Sequence, residues 1–186
     1  LPLRNLWLNN PQVRDLLPLT SLTNLALLYL DETPVSDLLP LQGLKLQELH
    51  LTACKEVSDL QPLAGMPLTE LYLNGAPVQD LSPLKGLRLQ VLNLYETKAD
   101  DLSPLAGMPL QSLWLNGTNV KDVSPLASCP LVSLTLERTP VTDLSSLPGK
   151  LERLHIAQSG VTDLSGEPKK LAGKIAGLLG DGSEVL

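Results

Sequence analysis

Two superposed rhythms run along this chain, one of leucines and one of aspartates. Pairs two residues apart return at nearly constant intervals: Leu6/Leu8, Leu28/Leu30, Leu49/Leu51, Leu71/Leu73, Leu92/Leu94, Leu113/Leu115, Leu134/Leu136 and Leu154/Ile156. Within a pair the alternation has the period of a β-strand. In Leu113-Trp114-Leu115-Asn116 the leucines face one side and Trp114 and Asn116 the other. The second rhythm is a ladder of aspartates, Asp15, Asp37, Asp59, Asp80, Asp101, Asp122, Asp143 and Asp163, spaced by 22, 22, 21, 21, 21, 21 and 20 residues. The pattern predicts eight units, each with one short strand, its leucines inward, and a return segment that begins at the aspartate.

A unit of 21 or 22 residues leaves room for one strand and a tight 3₁₀ or extended return, not for a full helix. The valines Val13, Val35, Val57, Val78, Val120, Val141 and Val161, with Ala99 in the one exceptional unit, close each coil from behind. The aspartate is a local backbone acceptor, as an Asx turn or helix cap. In Ser82-Pro83, Ser103-Pro104 and Ser124-Pro125 the serine is expected to cap, with proline at the first helical position. Lys55 and Glu56 form a one-residue expansion, expected as a bulge on the rim, and the seventh unit replaces the ladder proline with Ser146.

The full unit reads Leu-x-x-Leu-x-Leu-x-x-small-x-Val-x-Asp-Leu-x-Pro-Leu-x-Gly-(Leu/Met)-x, as in residues 110–131. Over residues 3–163 it resembles the leucine-rich-repeat family, and the repeat length with Asp-Leu-x-Pro-Leu resembles its bacterial, internalin-like subclass. The resemblance implies an α/β solenoid: a right-handed horseshoe or arc with a parallel β-sheet on the concave face and a short 3₁₀ or extended convex side. Little α-helix is expected apart from a C-terminal cap. Residues 1–165 are expected to form the solenoid, its first repeat truncated. Residues 166–186 leave the pattern, and Pro168, Leu171, Ile175, Leu178 and Leu179 suit a short amphipathic cap helix stopped by Gly180. Leu1 to Leu3 carry neither an initiator methionine nor a signal-peptide pattern and no N-terminal cap is visible, so a fragment of a longer protein is expected. The resemblance points to a bacterial surface or secreted setting, but related repeats also occur inside cells, so the compartment stays open.

Composition narrows the function. The chain has 186 residues, 43% hydrophobic and 18% charged, as a folded soluble domain would, and no apolar run approaches the roughly 18 residues of a membrane helix. The net charge is −6, yet setting aside the eight ladder aspartates leaves 12 acids against 14 lysines and arginines. The acidic total therefore says little about partners, and no basic stripe suited to nucleic acid is present. Cys54 and Cys129 occupy core positions three repeats apart, too far for a disulfide. His50 and His155 lie five repeats apart, too far to share a metal. Gly177 to Ser183 lacks the Gly-Lys-Ser/Thr ending of a phosphate loop. No catalytic constellation, cofactor or metal set is expected.

The outward strand positions hold the remaining signal. Between the paired leucines stand Trp7, Tyr29, His50, Tyr72, Asn93, Trp114, Thr135 and His155, and Tyr95 follows one position further on. Aromatic residues favour strands and stack across them, which is a purely structural explanation. Large rings on the water-facing side of a sheet nevertheless leave apolar area of the kind found at binding hot spots. Glu48, Glu70, Asp31, Asn74, Asn116, Glu137, Arg138 and Arg153 surround the stripe as a mixed polar rim. The expected function is a non-catalytic protein-interaction module. The alternatives are glycan or cell-wall binding through the same rings, or a structural spacer within a larger protein.

Overall fold

The structure is a computed structural model that describes residues 2–162. Asp163 and the expected cap helix lie outside the described residues. Eight three-residue strands, β1 (Asn5–Trp7), β2 (Leu27–Tyr29), β3 (Glu48–His50), β4 (Glu70–Tyr72), β5 (Val91–Asn93), β6 (Ser112–Trp114), β7 (Ser133–Thr135) and β8 (Arg153–His155), follow one another in the chain. They form one sheet in sequence order, every neighbouring pair parallel. This is a leucine-rich-repeat solenoid. No α-helix occurs among the described residues; six 3₁₀ turns make the return path.

Register follows from the leucines. Leu6, Leu28, Leu49, Leu71, Leu92, Leu113, Leu134 and Leu154 pair one with the next across all eight strands. A slip of one residue would turn every such leucine to water. From Leu28 to Leu134 these residues are sealed, as are Leu30, Leu51, Leu73, Leu94, Leu115 and Leu136, and the valine ladder with Ala99 closes the same core. Val13, Leu6, Leu8, Leu154, Ile156 and Val161 are only partly buried. They belong to the first and last described coils, each with a neighbouring repeat on one side only among the described residues.

The aspartates start the turns, as their spacing implies. In seven consecutive units the aspartate Oδ1 accepts the backbone N–H two residues on, at 2.8 Å each time: Asp15, Asp37, Asp59, Asp80, Asp101, Asp122 and Asp143. The serines take a different role from the one expected. Ser82, Ser103 and Ser124 are the first residues of their 3₁₀ turns, proline is the second, and the cap residue before each serine makes no side-chain cap bond. With the turn starting at serine, the acceptor for its N–H must come from two residues back. The hydroxyl instead donates to the same aspartate's Oδ2, at 2.9, 2.8 and 2.8 Å. Proline is tolerated at this second position because the first N–H groups of a turn lack an internal acceptor. In the seventh unit, where Ser146 replaces proline, Ser145 N–H still reaches Asp143 and Leu147 N–H still reaches Leu144, but the segment is a simple turn.

The small-residue position carries more chemistry than its size suggests. Thr33, Thr97, Thr118 and Thr139 are buried, and each hydroxyl donates to the carbonyl three residues back, at 2.6 to 2.8 Å. A buried hydroxyl without such a partner would cost on the order of 1–3 kcal/mol. Cys54 stands in this column and its thiol reaches the Leu30 carbonyl of the preceding coil at 3.1 Å. Cys129 is also sealed in the core, and burial raises both thiols above their ordinary pKa. Lys55 and Glu56 sit in an exposed turn closed by Val57 N–H on Cys54 C=O at 3.2 Å.

Candidate interaction face

Because the leucines are turned inward, the residues between them share the opposite face of the sheet. Strand register places Trp7, Tyr29, His50, Tyr72, Asn93, Trp114, Thr135 and His155 side by side in a single row. A second row, Asn5, Leu27, Glu48, Glu70, Val91, Ser112, Ser133 and Arg153, runs beside it. The residues one position past the second leucine of each pair, among them Asp31, Asn74, Tyr95, Asn116 and Glu137, form the third.

The rings of the first four strands form one stack. Trp7 and Tyr29 have centroids 5.8 Å apart, Tyr29 and His50 3.7 Å, His50 and Tyr72 4.1 Å, with interplanar angles of 26°, 14° and 14°. The spacing follows from the strands, which lie about 4.8 Å apart and carry one planar side chain each at the same register. Trp7, at the end of the stack, is 59% exposed.

Two carboxylates hold the stack from the second row. Glu48 Oε1 accepts from Tyr29 Oη at 3.2 Å and from His50 Nε2 at 2.7 Å. An ionised carboxylate only accepts, so His50 presents its Nε2–H there. Tyr72 Oη donates to Glu70 Oε2 at 2.8 Å. Desolvation and then the charge and hydrogen bond of Glu48 raise the Tyr29 phenol above its ordinary pKa. Desolvation and then Glu70 raise Tyr72 further. Both phenols are thus fixed as donors. Glu48 and Glu70, expected on a rim, lie within the face as anchors of its rings.

The other half of the row is built differently. Asn93 interrupts the stack, and its Oδ1 accepts the N–H of Tyr95 at 3.0 Å. Trp114 stands between Asn93 and Thr135 with no ring partner in the row. Ser133, Thr135 and Asn116 are sunk to 8%, 8% and 9% exposure, and Thr135 Oγ1 and Asn116 Oδ1 have no hydrogen-bond partner among the described residues. Asn116 Nδ2 donates to Glu137 Oε2 at 3.2 Å, and Glu137 Oε1 lies 3.5 Å from His155 Nδ1. Arg153 is exposed at the end of the second row.

One contact in this half is absent from the local sequence pattern. Arg138 Nη2 donates to Tyr95 Oη at 3.0 Å and to Glu96 Oε1 at 3.2 Å, and its Cζ lies 5.7 Å from the Tyr95 ring centroid. These bonds raise the guanidinium pKa, the Tyr95 bond first. Arg138 and Glu96 are two coils apart, with Gly117 between them. A Cβ on Gly117 would lie 3.1 Å from Glu96 Cγ and 3.8 Å from Arg138 Nη2. A glycine between an acid and an arginine in the same column was the signal that would have found this bridge.

Comparison with known proteins places this architecture. No protein-family model and no curated protein matches the chain, whereas solved structures do. An internalin C2 from Listeria monocytogenes is 34% identical, with a TM-score of 0.76, over 84% of this chain and 71% of that one. The chain belongs to the internalin-like leucine-rich-repeat family. A second internalin of the same organism, internalin F, is 30% identical with a TM-score of 0.67 over 82% of this chain. This internalin-like chain spans 54% of internalin F's length. Among the described residues, no helix is long and apolar enough to cross a membrane, and no group of three or more His, Cys, Asp or Glu side chains could hold a metal ion.

Proposed function

We propose that this chain is a non-catalytic protein-interaction module whose partner, a protein, docks on the outward face of the sheet. Membership of the internalin-like family supports an interaction module in general. The observation that carries the specific reading is the row Trp7-Tyr29-His50-Tyr72, stacked on the water-facing side and held by Glu48 and Glu70. Rings locked before binding lose little rotamer freedom when a partner arrives, and such preorganisation favours affinity. Trp7, Tyr29, His50, Tyr72, Asn93, Tyr95 and Trp114 form the contact surface, with Glu48, Glu70, Asn116, Glu137 and Arg153 specifying around them.

The stacking argues for a protein over a glycan. Sugars lie on open ring faces, but between Tyr29, His50 and Tyr72 those faces cover one another at 3.7 and 4.1 Å. What the row offers outward is ring edges and phenol oxygens, which suit the side chains and backbone of a protein. The test is affinity for a purified binding partner with Tyr29→Ala, Tyr72→Ala and Trp114→Ala variants whose strand content and melting are intact. A loss of tenfold or more is expected, as for hot-spot aromatics. Unchanged affinity would remove this face from the reading. A glycan array bound selectively in a Trp114-dependent way would replace protein with carbohydrate.

A further inference from the structure

The outward face is electrically lopsided. No lysine or arginine occupies its three rows on β1 to β5, while Asp31, Glu48 and Glu70 all stand there. The nearest cations are off the face. Arg4 and Lys45 line a depression at the strand-entry edge, and the Lys55 ammonium donates to the Gly75 carbonyl at 3.1 Å. At the other end Arg153 occupies the second row and Glu137 the third, with Arg138 adjoining the third row and paired with Glu96.

Glu48 and Glu70 face each other in register on neighbouring strands. Like charges directly opposite in a sheet are destabilising. Among the described residues no lysine or arginine is within salt-bridge distance of either; His50, on Glu48, offsets one charge only when protonated. Each acid uses one oxygen locally. Glu48 Oε1 holds Tyr29 and His50, Glu70 Oε2 holds Tyr72, and Asp31 Oδ1 accepts the Thr52 N–H at 2.8 Å. Glu48 Oε2, Glu70 Oε1 and Asp31 Oδ2 have no hydrogen-bond partner among the described residues.

We infer that the β1–β5 half of this face takes a basic segment of its protein partner, with arginine as the residue it reads. This rests on the interaction face proposed above and names its partner's chemistry. An arginine between Glu48 and Glu70 would relieve their repulsion and meet two unused acceptors with its fork of donors. Guanidinium is planar and weakly hydrated, so it also stacks on aromatic surface such as the exposed Trp7 ring, where the compact lysine ammonium is held less well. At the far end Arg138 is paired with Glu96 and Arg153 shares the face with Glu137, so that end lacks the unopposed negative charge that draws the segment, and the asymmetry sets its direction along the sheet.

The experiment uses three flexible Gly-Ser peptides bearing four arginines, four lysines or four glutamates, titrated into the full chain by calorimetry. The arginine peptide binds, the lysine peptide binds more weakly by about threefold or more, and the glutamate peptide does not bind. Raising the salt to about 0.5 M, or combining Glu48→Gln with Glu70→Gln, weakens the arginine peptide by about tenfold or more. Gln keeps an acceptor for Tyr29, His50 and Tyr72, and relief of the charge pair raises the melting temperature of the unliganded double variant. Asp100→Asn, on the turn side, leaves binding unchanged. Equal binding of arginine and glutamate peptides, or equal losses in Asp100→Asn and the Glu variants, overturns the inference. If a protein partner is lost from Tyr29→Ala and Tyr72→Ala but is indifferent to the Glu variants and to salt, the interaction face stands and the cationic partner falls.

Discussion

Two sets of polar residues run the length of the molecule, one along the turns and one across the sheet. Along the turns the same aspartate makes the same 2.8 Å bond to a backbone N–H in seven consecutive units. Across the sheet no two neighbouring positions of the central row hold the same residue, from Trp7 through His50 and Asn93 to His155. The backbone demand is identical in every turn, so the answer is identical. The sheet face meets backbone demand only at scattered positions, as where Asn93 and Asp31 each accept an N–H, so most of its side chains are free to vary. In a solenoid, repetition marks architecture and variation marks the surface available for recognition.

The sharpest way to break this contrast is to disturb a repeated residue and a varied one side by side. Leu71→Ala, at the centre of the inward ladder, should lower stability by about 2–5 kcal/mol through lost transfer energy and a cavity. Tyr72→Ala, the next residue on the opposite face, should cost less. Urea unfolding of the two variants measures the difference, and equal losses would mean that the outward row is also core.

Acid should undo the turn ladder before the sheet. The backbone N–H and then the hydroxyl of the serine two residues on hold Asp80, Asp101 and Asp143 below the ordinary carboxylate pKa. A depressed folded pKa means the unfolded chain binds protons first. The stabilisation is present in full above about pH 4, the usual aspartate value, and is lost as pH falls through the folded values. The urea midpoint should therefore decline below about pH 4, and the combined Asp80→Asn, Asp101→Asn and Asp143→Asn variant should flatten that decline while keeping an amide acceptor in each turn.

A smaller effect separates geometry from side-chain identity. Ala53 and Glu96 have φ of 57° and 54°, in the column where Gly75 and Gly117 have 75° and 71°. The left-handed conformation strains a residue with a Cβ, so Ala53→Gly should stabilise the chain by about 0.5–1 kcal/mol after the extra entropy of glycine in the unfolded state. Differential calorimetry reads the sign. A fall in stability would mean that the Ala53 side chain contributes packing that outweighs strain.

The smallest effect is spectroscopic. Absorbance at 295 nm should show that Tyr29 and Tyr72 still hold their protons when pH passes 10, the ordinary tyrosine value, since both pKa values are raised. A raised folded pKa makes this contribution to stability complete below about pH 10 and lost above it as the folded phenols ionise. Glu70→Gln should bring the Tyr72 transition down, and an unmoved transition would contradict the Tyr72–Glu70 bond.

The sequence made the solenoid legible because each repeat is short and its contacts are with the next copy of itself. Leu49, Leu71 and Leu92 announce by their period both their strand and their neighbours. The outward row was legible for the same reason, since alternation puts Tyr29 and Tyr72 opposite the leucines. The roles of Ser82, Ser103 and Ser124 were not, because serine suits both a cap and a first turn residue and only the turn's starting point decides. Nor was the reach of Arg138, which depends on the missing side chain at Gly117, where a Cβ would crowd Glu96.

By itself the sequence determined the period, the face on which each residue stands and the sealed core, because a strand alternates and burial of leucine outweighs other choices of register. Only the tertiary structure decided which outward side chains act together. Strand spacing brings Trp7, Tyr29, His50 and Tyr72 into one stack, sets Glu48 directly against Glu70, and leaves Trp114 apart. Those relations join residues from different coils, and they arise from distances that periodicity does not specify.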